Sequence, residues 1–215
     1  MLVAIVVAKC LLGYLLGSLS GSLLVGRLRG VDIRTQGSGN AGGTNALRVA
    51  GWRFALAVVV IDVGKGALAA VIGGLVPPSL PISLSTPQSQ ACLCAFAAVI
   101  GHCWPIFFGF RGGKGAGTAV GAVLVLAPWI AAAMFVLWLV VIACWRYVGL
   151  ATVVAGIAFP LLVLAAGSSG YPQSGALLVF AFAVALLIVF THRSNLSRMR
   201  QGTEPRIGRH STSAS

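Results

Sequence analysis

The stretch of the chain richest in groups that could bind an anion is residues 37–48, with the sequence GSGNAGGTNALR. Closely spaced glycines let backbone N–H groups approach a ligand without interference from Cβ atoms. Hydroxyls, amides and an arginine can then complete a cradle for a phosphate or an oxyanion. The candidate ligand-binding residues are Gly37, Ser38, Gly39, Asn40, Thr44, Asn45 and Arg48. The alternative is a flexible loop that ends in a helix cap at Thr44 or Asn45.

A second polar segment, residues 101–121, has the sequence GHCWPIFFGFRGGKGAGTAVG. A nucleotide P-loop requires glycine six residues before its lysine and serine or threonine directly after it, but those positions hold Phe108 and Gly115. The chain also has only three acidic residues that could hold magnesium, which argues against ATP hydrolysis. What remains is a glycine turn and a lysine before an electropositive helix N-terminus, which suits a small phosphate ester. The candidate binding residues are Gly112, Gly113, Lys114 and Gly115.

The third polar segment, residues 191–209, follows the last apolar run and is rich in arginine. His192 and Asn195 are three residues apart, so they share a face if the helix of the last span continues through them. We expect Glu204 to organise the neighbouring arginines through ion pairs. The alternative is a basic juxtamembrane tail that is attracted to anionic lipid.

The composition places these segments in a membrane protein. Of the 215 residues, 58% are hydrophobic and 8% are charged, whereas a soluble domain has about a quarter charged residues. The net charge of +12 does not indicate a nucleic-acid partner, because thirteen of the fifteen basic residues lie in gaps between apolar runs or in the tail, and the gaps 76–90 and 166–174 have none. Such alternation encodes membrane topology. The five cysteines lack metal-ligand spacing and are expected to be buried free thiols.

Seven apolar runs predict an all-α integral membrane protein with about seven transmembrane helices, each spanning the bilayer with roughly 20 residues. The runs are 2–24, 54–76, 91–108, 115–127, 129–145, 150–166 and 175–190, with a break at Pro128. This topology places the N-terminus outside and the C-terminus and all three polar segments in the cytoplasm. Five spans give the same end locations, but seven put Arg146 in a cytoplasmic turn. We expect one domain over residues 1–200 and a cytoplasmic tail over 201–215, disordered from residue 210.

Two ionisable residues within the second apolar run, Asp62 and Lys65, are spaced as an i,i+3 pair. Charges at membrane depth are costly, and pairing offsets part of that cost. We therefore expect a structural role for the pair, which can also shape the site.

With these segments in place, the chain resembles the bacterial acyl-phosphate:glycerol-3-phosphate acyltransferases, the PlsY family. The resemblance rests on residues 37–48, 101–121 and 192–204, and on DVGKG at residues 62–66. It implies transfer of a fatty acyl group from acyl phosphate to the 1-hydroxyl of glycerol 3-phosphate, which gives lysophosphatidate and inorganic phosphate, the first step of phospholipid synthesis. It also implies catalytic roles for Ser38, Arg48, His192 and Asn195, a phosphate-binding loop around Lys114, and a structural role for Glu204. One departure is Gly43, where the family usually has alanine.

Acyl transfer needs anion binding, stabilisation of an oxyanion and removal of one proton. We expect direct attack by the substrate hydroxyl, with either His192 or the phosphate of the substrate as proton acceptor. A covalent acyl-enzyme at Ser38 is disfavoured because the motifs show no His–Asp relay. Neither a metal nor a cofactor is expected, because the mixed anhydride of the donor is already activated. The expected location is the bacterial inner membrane, with the active site facing the cytoplasm and membrane lipids around the helices; the sequence assigns no oligomeric state.

Three other functions are compatible with parts of the pattern. A transporter of a small anion or phosphate ester needs spans and cations, but transporters bind near the bilayer midplane and here the polar groups gather at one face. Acyl-CoA acyltransferases carry aspartate five residues after a histidine, whereas Phe107 follows His102 at that spacing. Alcohol phosphotransferases need several aspartates around two metals, and this chain has two in all.

Overall fold

The computed structural model describes residues 2–75, 86–169 and 174–208, and this part of the chain is helical without strands. The neutral gaps 76–90 and 166–174 and the tail from residue 201 lie partly outside the described residues, so the expectations for them are tested only in part. Residues 209–215, which include the segment expected to be disordered, lie wholly outside. Two 3₁₀ turns, Ile33–Thr35 and Ile106–Phe108, lie between helices. The α-helices are α1 (Leu2–Ser18), α2 (Gly21–Leu28), α3 (Gly43–Gly74), α4 (Pro87–Cys103), α5 (Ala116–Leu126), α6 (Pro128–Trp145), α7 (Val148–Ser168), α8 (Gly175–Thr191) and α9 (Arg193–Arg200).

The helices have the length and composition of membrane spans. Four are long and apolar enough to cross a bilayer: α3, α4 with the 3₁₀ turn after it, α6 and α7. If each of the two bent pairs, α1 with α2 and α8 with α9, is one span, the count is six, and α5 is a shorter apolar helix. The protein is therefore an all-α integral membrane protein. The count of seven spans and the sides of the two termini stay predictions.

Several boundaries differ from those expected. The first apolar run is not one continuous helix, because α1 and α2 meet at a bend of 46°. The second helix begins at Gly43 and not near residue 54, with a non-helical backbone at Gly51 (φ 79°) that only glycine adopts easily. The predicted break at Pro128 is confirmed, since α5 ends at Leu126 and α6 begins at Pro128.

Close helix contacts hold the bundle together. α1 packs against α4, and α3 packs against both α4 and α5. A Cβ atom on Gly17 would lie 2.0 Å from the carbonyl oxygen of Ala98, and one on Gly66 would lie 1.9 Å from that of Thr118, so both contacts require glycine. Close approach through small residues is typical of helix packing in membranes. All five cysteines are free, as expected, but only Cys92, Cys94 and Cys103 are buried; Cys10 is half-buried and Cys144 is exposed.

Candidate active site

The first polar segment is folded by the side chain of Asn45, which is almost fully buried. Its amide nitrogen donates to the carbonyl oxygens of Ile33 (2.8 Å) and Gln36 (3.1 Å), and its oxygen accepts from the backbone N–H of Ser38 (2.9 Å). Both hydrogens of the amide are therefore used within the loop. Asn45 is positioned to shape the loop, although it was expected to contact substrate.

The start of α3 differs from the alternative that placed a cap at Thr44 or Asn45. The N-cap is Gly42, and no side chain bonds to the first N–H groups of the helix. Gly37 (φ 60°) and Gly39 (φ 69°) both adopt the left-handed backbone that glycine tolerates best. The segment is therefore an ordered turn that ends in an uncapped helix N-terminus.

Ser38 on this turn and Arg48 in the first part of α3 are both exposed. Among the hydrogen bonds of the described residues, none involves the Ser38 hydroxyl, so it is available to a ligand. Arg48 reaches the third segment, because its Nη2 lies 3.5 Å from the carbonyl oxygen of Pro205. The first and third segments are thus in contact.

Arg34 joins the first segment to the second and was missed from the sequence. Its guanidinium forms an ion pair with Asp32 (2.7 Å) and donates to the carbonyl oxygens of Phe108 and Arg111 (both 3.1 Å). The spacing of Asp32 and Arg34 could have indicated their ion pair. The two carbonyl oxygens could not be identified from the sequence, because they belong to a loop more than seventy residues away. Arg34 therefore serves as a link between the two glycine-rich loops.

The loop that carries Lys114 turns back onto the end of α4. The backbone N–H groups of Gly112 and Gly113 donate to the carbonyl oxygens of Cys103 (3.2 Å) and His102 (3.0 Å). Gly115 then adopts a left-handed backbone (φ 86°) as the N-cap of α5, without a side-chain cap bond. The predicted arrangement of glycine turn, lysine and helix N-terminus is present.

Lys114 is held by a chain of polar groups from the third segment. Its ammonium donates to the side-chain oxygen of Asn195, whose amide nitrogen donates to Glu204 at 2.6 Å. The other oxygen of Glu204 accepts from Arg198 at 2.7 Å. Because the Glu204 carboxylate can only accept, the NH₂ group of Asn195 must face Glu204, and the side-chain oxygen of Asn195 therefore faces Lys114. Burial, and then the positive charge of Arg198, lower the pKa of Lys114 to about 8.

His192 lies at the junction of α8 and α9, which meet at a bend of 48°. The condition under which His192 and Asn195 would share a face of one continuous helix is therefore not met. The Nδ1 atom of His192 is 2.8 Å from the carbonyl oxygen of Ile188, so Nδ1 carries the hydrogen and Nε2 keeps its lone pair. Burial, and then Lys114, lower the pKa of His192 to about 4. The imidazole is consequently neutral at pH 7.

A cleft of about 250 Å³ lies where the three segments meet. It is lined by Asn40, Cys103, Trp104, Gly113, Lys114, Phe190, Thr191 and Arg193. Thr191 and Arg193 were not among the expected site residues; Thr191 donates to the carbonyl oxygen of Lys114 at 3.0 Å. Another cavity of about 290 Å³, beside Arg27, Asp32 and Arg34, contains none of the expected site residues. Within the described residues, no group of three or more His, Cys, Asp or Glu side chains is placed to hold a metal ion.

Comparison with known proteins gives a consistent family. A family profile described as glycerol-3-phosphate acyltransferase matches residues 7–202. A glycerol-3-phosphate acyltransferase of Chlorobium phaeobacteroides (strain BS1) is 38% identical over 92% of this chain and 94% of its own length. One of Parasynechococcus marenigrum (strain WH8102) is 42% identical over 92% of this chain and 87% of its own length. The chain belongs to the glycerol-3-phosphate acyltransferase family.

Solved structures agree with this assignment. The crystal structure of the integral membrane acyltransferase PlsY in its glycerol 3-phosphate form covers 94% of this chain and 96% of its own, with a TM-score of 0.82 and 35% identity. The lysophosphatidic acid form of the same protein has a TM-score of 0.80 and 34% identity, over 94% of this chain and 95% of its own. The protein is therefore an integral membrane acyltransferase, and the transporter alternative is not favoured.

Proposed function

We propose that the protein transfers a fatty acyl group from acyl phosphate to the 1-hydroxyl of glycerol 3-phosphate, the first step of phospholipid synthesis. The products are 1-acylglycerol 3-phosphate and inorganic phosphate. The observation that carries this proposal is the cleft to which all three polar segments contribute, with Lys114 in its wall and apolar Trp104 and Phe190 beside it. Such a cleft offers a cation to a phosphate and an apolar surface to an acyl chain. The names of the relatives support glycerol 3-phosphate as the acyl acceptor.

Lys114 is the proposed phosphate ligand within the cleft, and Arg193, which also lines it, adds positive charge. Arg48 contacts Pro205, next to Glu204, and is proposed to add charge from the third segment's side. With its pKa near 8, Lys114 is still about 90% protonated at pH 7. A bound phosphate dianion favours the ammonium further, because opposite charges raise the pKa of a lysine. Asn195 orients this ammonium through the hydrogen bond described above.

The proton of the attacking hydroxyl passes to the phosphate of glycerol 3-phosphate in the mechanism that we propose. His192 is a weak base, since its pKa is about 4, whereas a phosphate monoester has a second pKa of about 6. The hydroxyl oxygen bonds to the acyl carbon, the bond from that carbon to the phosphate oxygen breaks, and inorganic phosphate leaves with the electron pair. His192 and Asn195 orient the substrate during this step.

Ser38 is proposed to stabilise the donor phosphate or the oxyanion by a hydrogen bond. Its hydroxyl is exposed on the turn and is held there by the bond between its N–H and Asn45. No covalent intermediate is required, because the donor is a mixed anhydride. Because the mixed anhydride is already activated, we also propose that neither a metal nor a cofactor takes part.

The proposed location is the bacterial inner membrane, with the cleft open to the cytoplasm. The basic residues of the three segments fit this orientation, since positive charge is retained on the cytoplasmic side. The acyl chain of the donor then lies among the apolar helices and enters from the inner leaflet. Cysteine labelling at Ser38, Lys114 and His192 from either side of sealed vesicles tests this orientation, and labelling from opposite sides would contradict it.

An activity assay of the purified protein with acyl phosphate and labelled glycerol 3-phosphate tests the function. The wild type should form lysophosphatidate, and Ser38→Ala, Arg48→Ala and His192→Ala should each lose most of that activity. Arg53→Ala is the matched control for Arg48, because Arg53 is exposed and stacks on Trp52, outside the cleft. Uptake of a phosphate ester by proteoliposomes without acylated product would overturn the proposal.

A further inference from the structure

A buried polar network lies between α3 and α4, outside the cleft. Asp62, Lys65 and His102 are only 4%, 6% and 3% exposed. The ammonium of Lys65 is 2.9 Å from Asp62 and 2.9 Å from Nδ1 of His102. Three polar groups at this depth are costly, so their positions need an explanation beyond packing.

One side of the network holds the bend between α1 and α2. Lys65 donates to the carbonyl oxygens of Gly17 (2.8 Å) and Leu19 (3.0 Å), and Asp62 accepts from the N–H of Gly21 (3.0 Å). A cation thus meets the C-terminal end of α1 and an anion meets the N-terminal end of α2. This matches the partial charges of both helix ends.

The other side of the network touches the loop of Lys114. The backbone oxygen of His102 accepts the N–H of Gly113 at 3.0 Å. An ideal Cβ on Gly113 would lie 2.1 Å from Nε2 of His102 and 2.8 Å from the carbonyl oxygen of Ala41. Gly113 therefore rests directly on the imidazole edge, one residue before Lys114.

The contacts of His102 favour one tautomer. Its Nδ1 lies 2.9 Å from the ammonium of Lys65 and 3.3 Å from Oδ1 of Asp62. The ammonium is the nearer group and can only donate, so we assign Nδ1 as an acceptor, although the three hydrogens of Lys65 are then shared among four acceptors. The charges of Asp62 and Lys65 already balance, and a second buried cation would be uncompensated. His102 is consequently neutral, with its hydrogen on Nε2, the edge that faces Gly113.

We propose that His102 is a positioning residue that sets the backbone of Gly112–Lys114 through its Nε2 edge, and that Lys65 and Asp62 hold it in place. The proposal rests on the proposed function, because it gives Lys114 as the phosphate ligand. The network thereby connects the bend of the first helical pair to the phosphate-binding loop. Its loss should raise KM for glycerol 3-phosphate more than it lowers kcat, since the reacting groups themselves stay in place.

Two substitutions of His102 separate its two edges. His102→Gln places an amide nitrogen near the position of Nε2 but removes the acceptor for Lys65. His102→Asn places an oxygen near Nδ1, which keeps the bond to Lys65, but leaves a gap at Gly113. We expect His102→Gln to lower the thermal midpoint while KM stays within about threefold of wild type, and His102→Asn to keep the midpoint while KM rises about tenfold.

A matched control removes Lys9, a lysine of α1 that, like Lys65, donates to a backbone carbonyl oxygen of a neighbouring helix. Lys9 donates to the carbonyl oxygen of Gly73 at 3.0 Å, eight residues before Gly17 along α1. Lys9→Met should lower the thermal midpoint without changing KM. The positioning role is refuted if KM is unchanged in His102→Asn, or if KM rises in both variants in proportion to the loss of thermal stability.

Hydrogen exchange provides a readout that does not depend on turnover. The amides of Gly112 and Gly113 should exchange faster in His102→Asn than in wild type, and at the wild-type rate in His102→Gln. Equal exchange in all three proteins would overturn the positioning role even if the enzyme is active. Conversely, wild-type protein that forms no product from acyl phosphate would refute the proposed function, while the exchange pattern would still decide the role of His102.

Discussion

Replacing Glu204 by glutamine should rotate the side-chain amide of Asn195, the group that orients Lys114, by half a turn. The carboxylate accepts from Asn195 through one oxygen (2.6 Å) and from Arg198 through the other (2.7 Å). Glutamine keeps one acceptor and turns the other into an N–H donor. If its oxygen stays with Arg198, its NH₂ group faces the NH₂ group of Asn195. Asn195 must then rotate, which turns its own NH₂ group toward the ammonium of Lys114.

The expected loss follows from the bonds that change. A hydrogen bond to a charged group contributes about 1.5–3 kcal/mol, and the bond from Lys114 to Asn195 is of this kind. Its loss corresponds to a factor of roughly 10 to 150 in kcat/KM. The measurement is kcat/KM of Glu204→Gln in detergent with acyl phosphate and glycerol 3-phosphate. Unchanged kcat/KM would refute the proposed orientation of Asn195.

The double variant Glu204→Gln with Asn195→Asp exchanges the amide and the carboxylate between the two positions. The introduced glutamine can then donate to the new carboxylate and accept from Arg198, so the bond between the two positions is restored with its donor reversed. The thermal midpoint should recover relative to Glu204→Gln alone. Activity should stay low, because the new carboxylate stands beside the phosphate site. A midpoint no higher than that of the single variant would show that this hydrogen-bonded chain does not stabilise the fold.

Three further predictions test the loops and the packing. The pKa of Lys114 near 8 predicts that kcat/KM falls above pH 8 in wild type, and Lys114→Arg should remove this fall although its activity at pH 7 is lower. Asn45→Ala removes three hydrogen bonds from the first loop, so at about 1 kcal/mol each it should cost about 3 kcal/mol and speed cleavage of that loop by a protease. Gly66→Ala puts a methyl group 1.9 Å from the carbonyl oxygen of Thr118, which should separate α3 from α5 and lower the thermal midpoint.

The pH dependence of stability has a definite sign at His192. Its pKa is lowered to about 4 in the folded protein from an ordinary value of 6.5, so between these values only the unfolded chain binds the proton. The stability contributed by His192 is therefore present above pH 6.5 and is lost as the pH falls toward 4. The thermal midpoint of His192→Gln should consequently fall less between pH 6.5 and 4 than that of wild type.

The sequence predicted the class of the fold because hydropathy reports burial in lipid directly. It also predicted the glycine turn at Lys114 and the helix start that follows, since both depend on neighbouring residues. It did not predict the bends after Ser18 and at His192. The bend after Ser18 depends on a residue that is distant in sequence. Lys65 donates to the carbonyl oxygens of Gly17 and Leu19 and so stabilises a helix end inside an apolar run.

The same limit explains why the sequence did not identify Arg34 as the link between the two glycine-rich loops or Arg193 as a residue lining the cleft. Each is one arginine among many in a basic segment, and only its partners distinguish it. Arg34 is distinguished by two carbonyl oxygens of the second loop, at 3.1 Å each. Arg193 stacks on Phe190 (4.3 Å) at the edge of the cleft. Charge composition predicts a cytoplasmic surface, whereas the choice of a particular arginine depends on loops that meet only in the folded bundle.

Helix starts without a side-chain cap occur at α2, α6, α7 and α9 as well, but α3 and α5 are the two that begin in the glycine-rich segments. α4 and α8 begin with Thr86 and Ser174, whose side chains accept a backbone N–H of the first turn. α3 and α5 instead begin after Gly42 and Gly115, without a side-chain cap bond. An uncapped helix start leaves N–H groups and a positive partial charge without an internal partner. Since α3 and α5 start within the two glycine-rich segments that meet at the cleft, an incoming phosphate can take the place that a cap fills at α4 and α8. The left-handed backbone at Gly115 (φ 86°) favours glycine, and at both Gly42 and Gly115 the lack of a capping side chain leaves the helix end open for an anion.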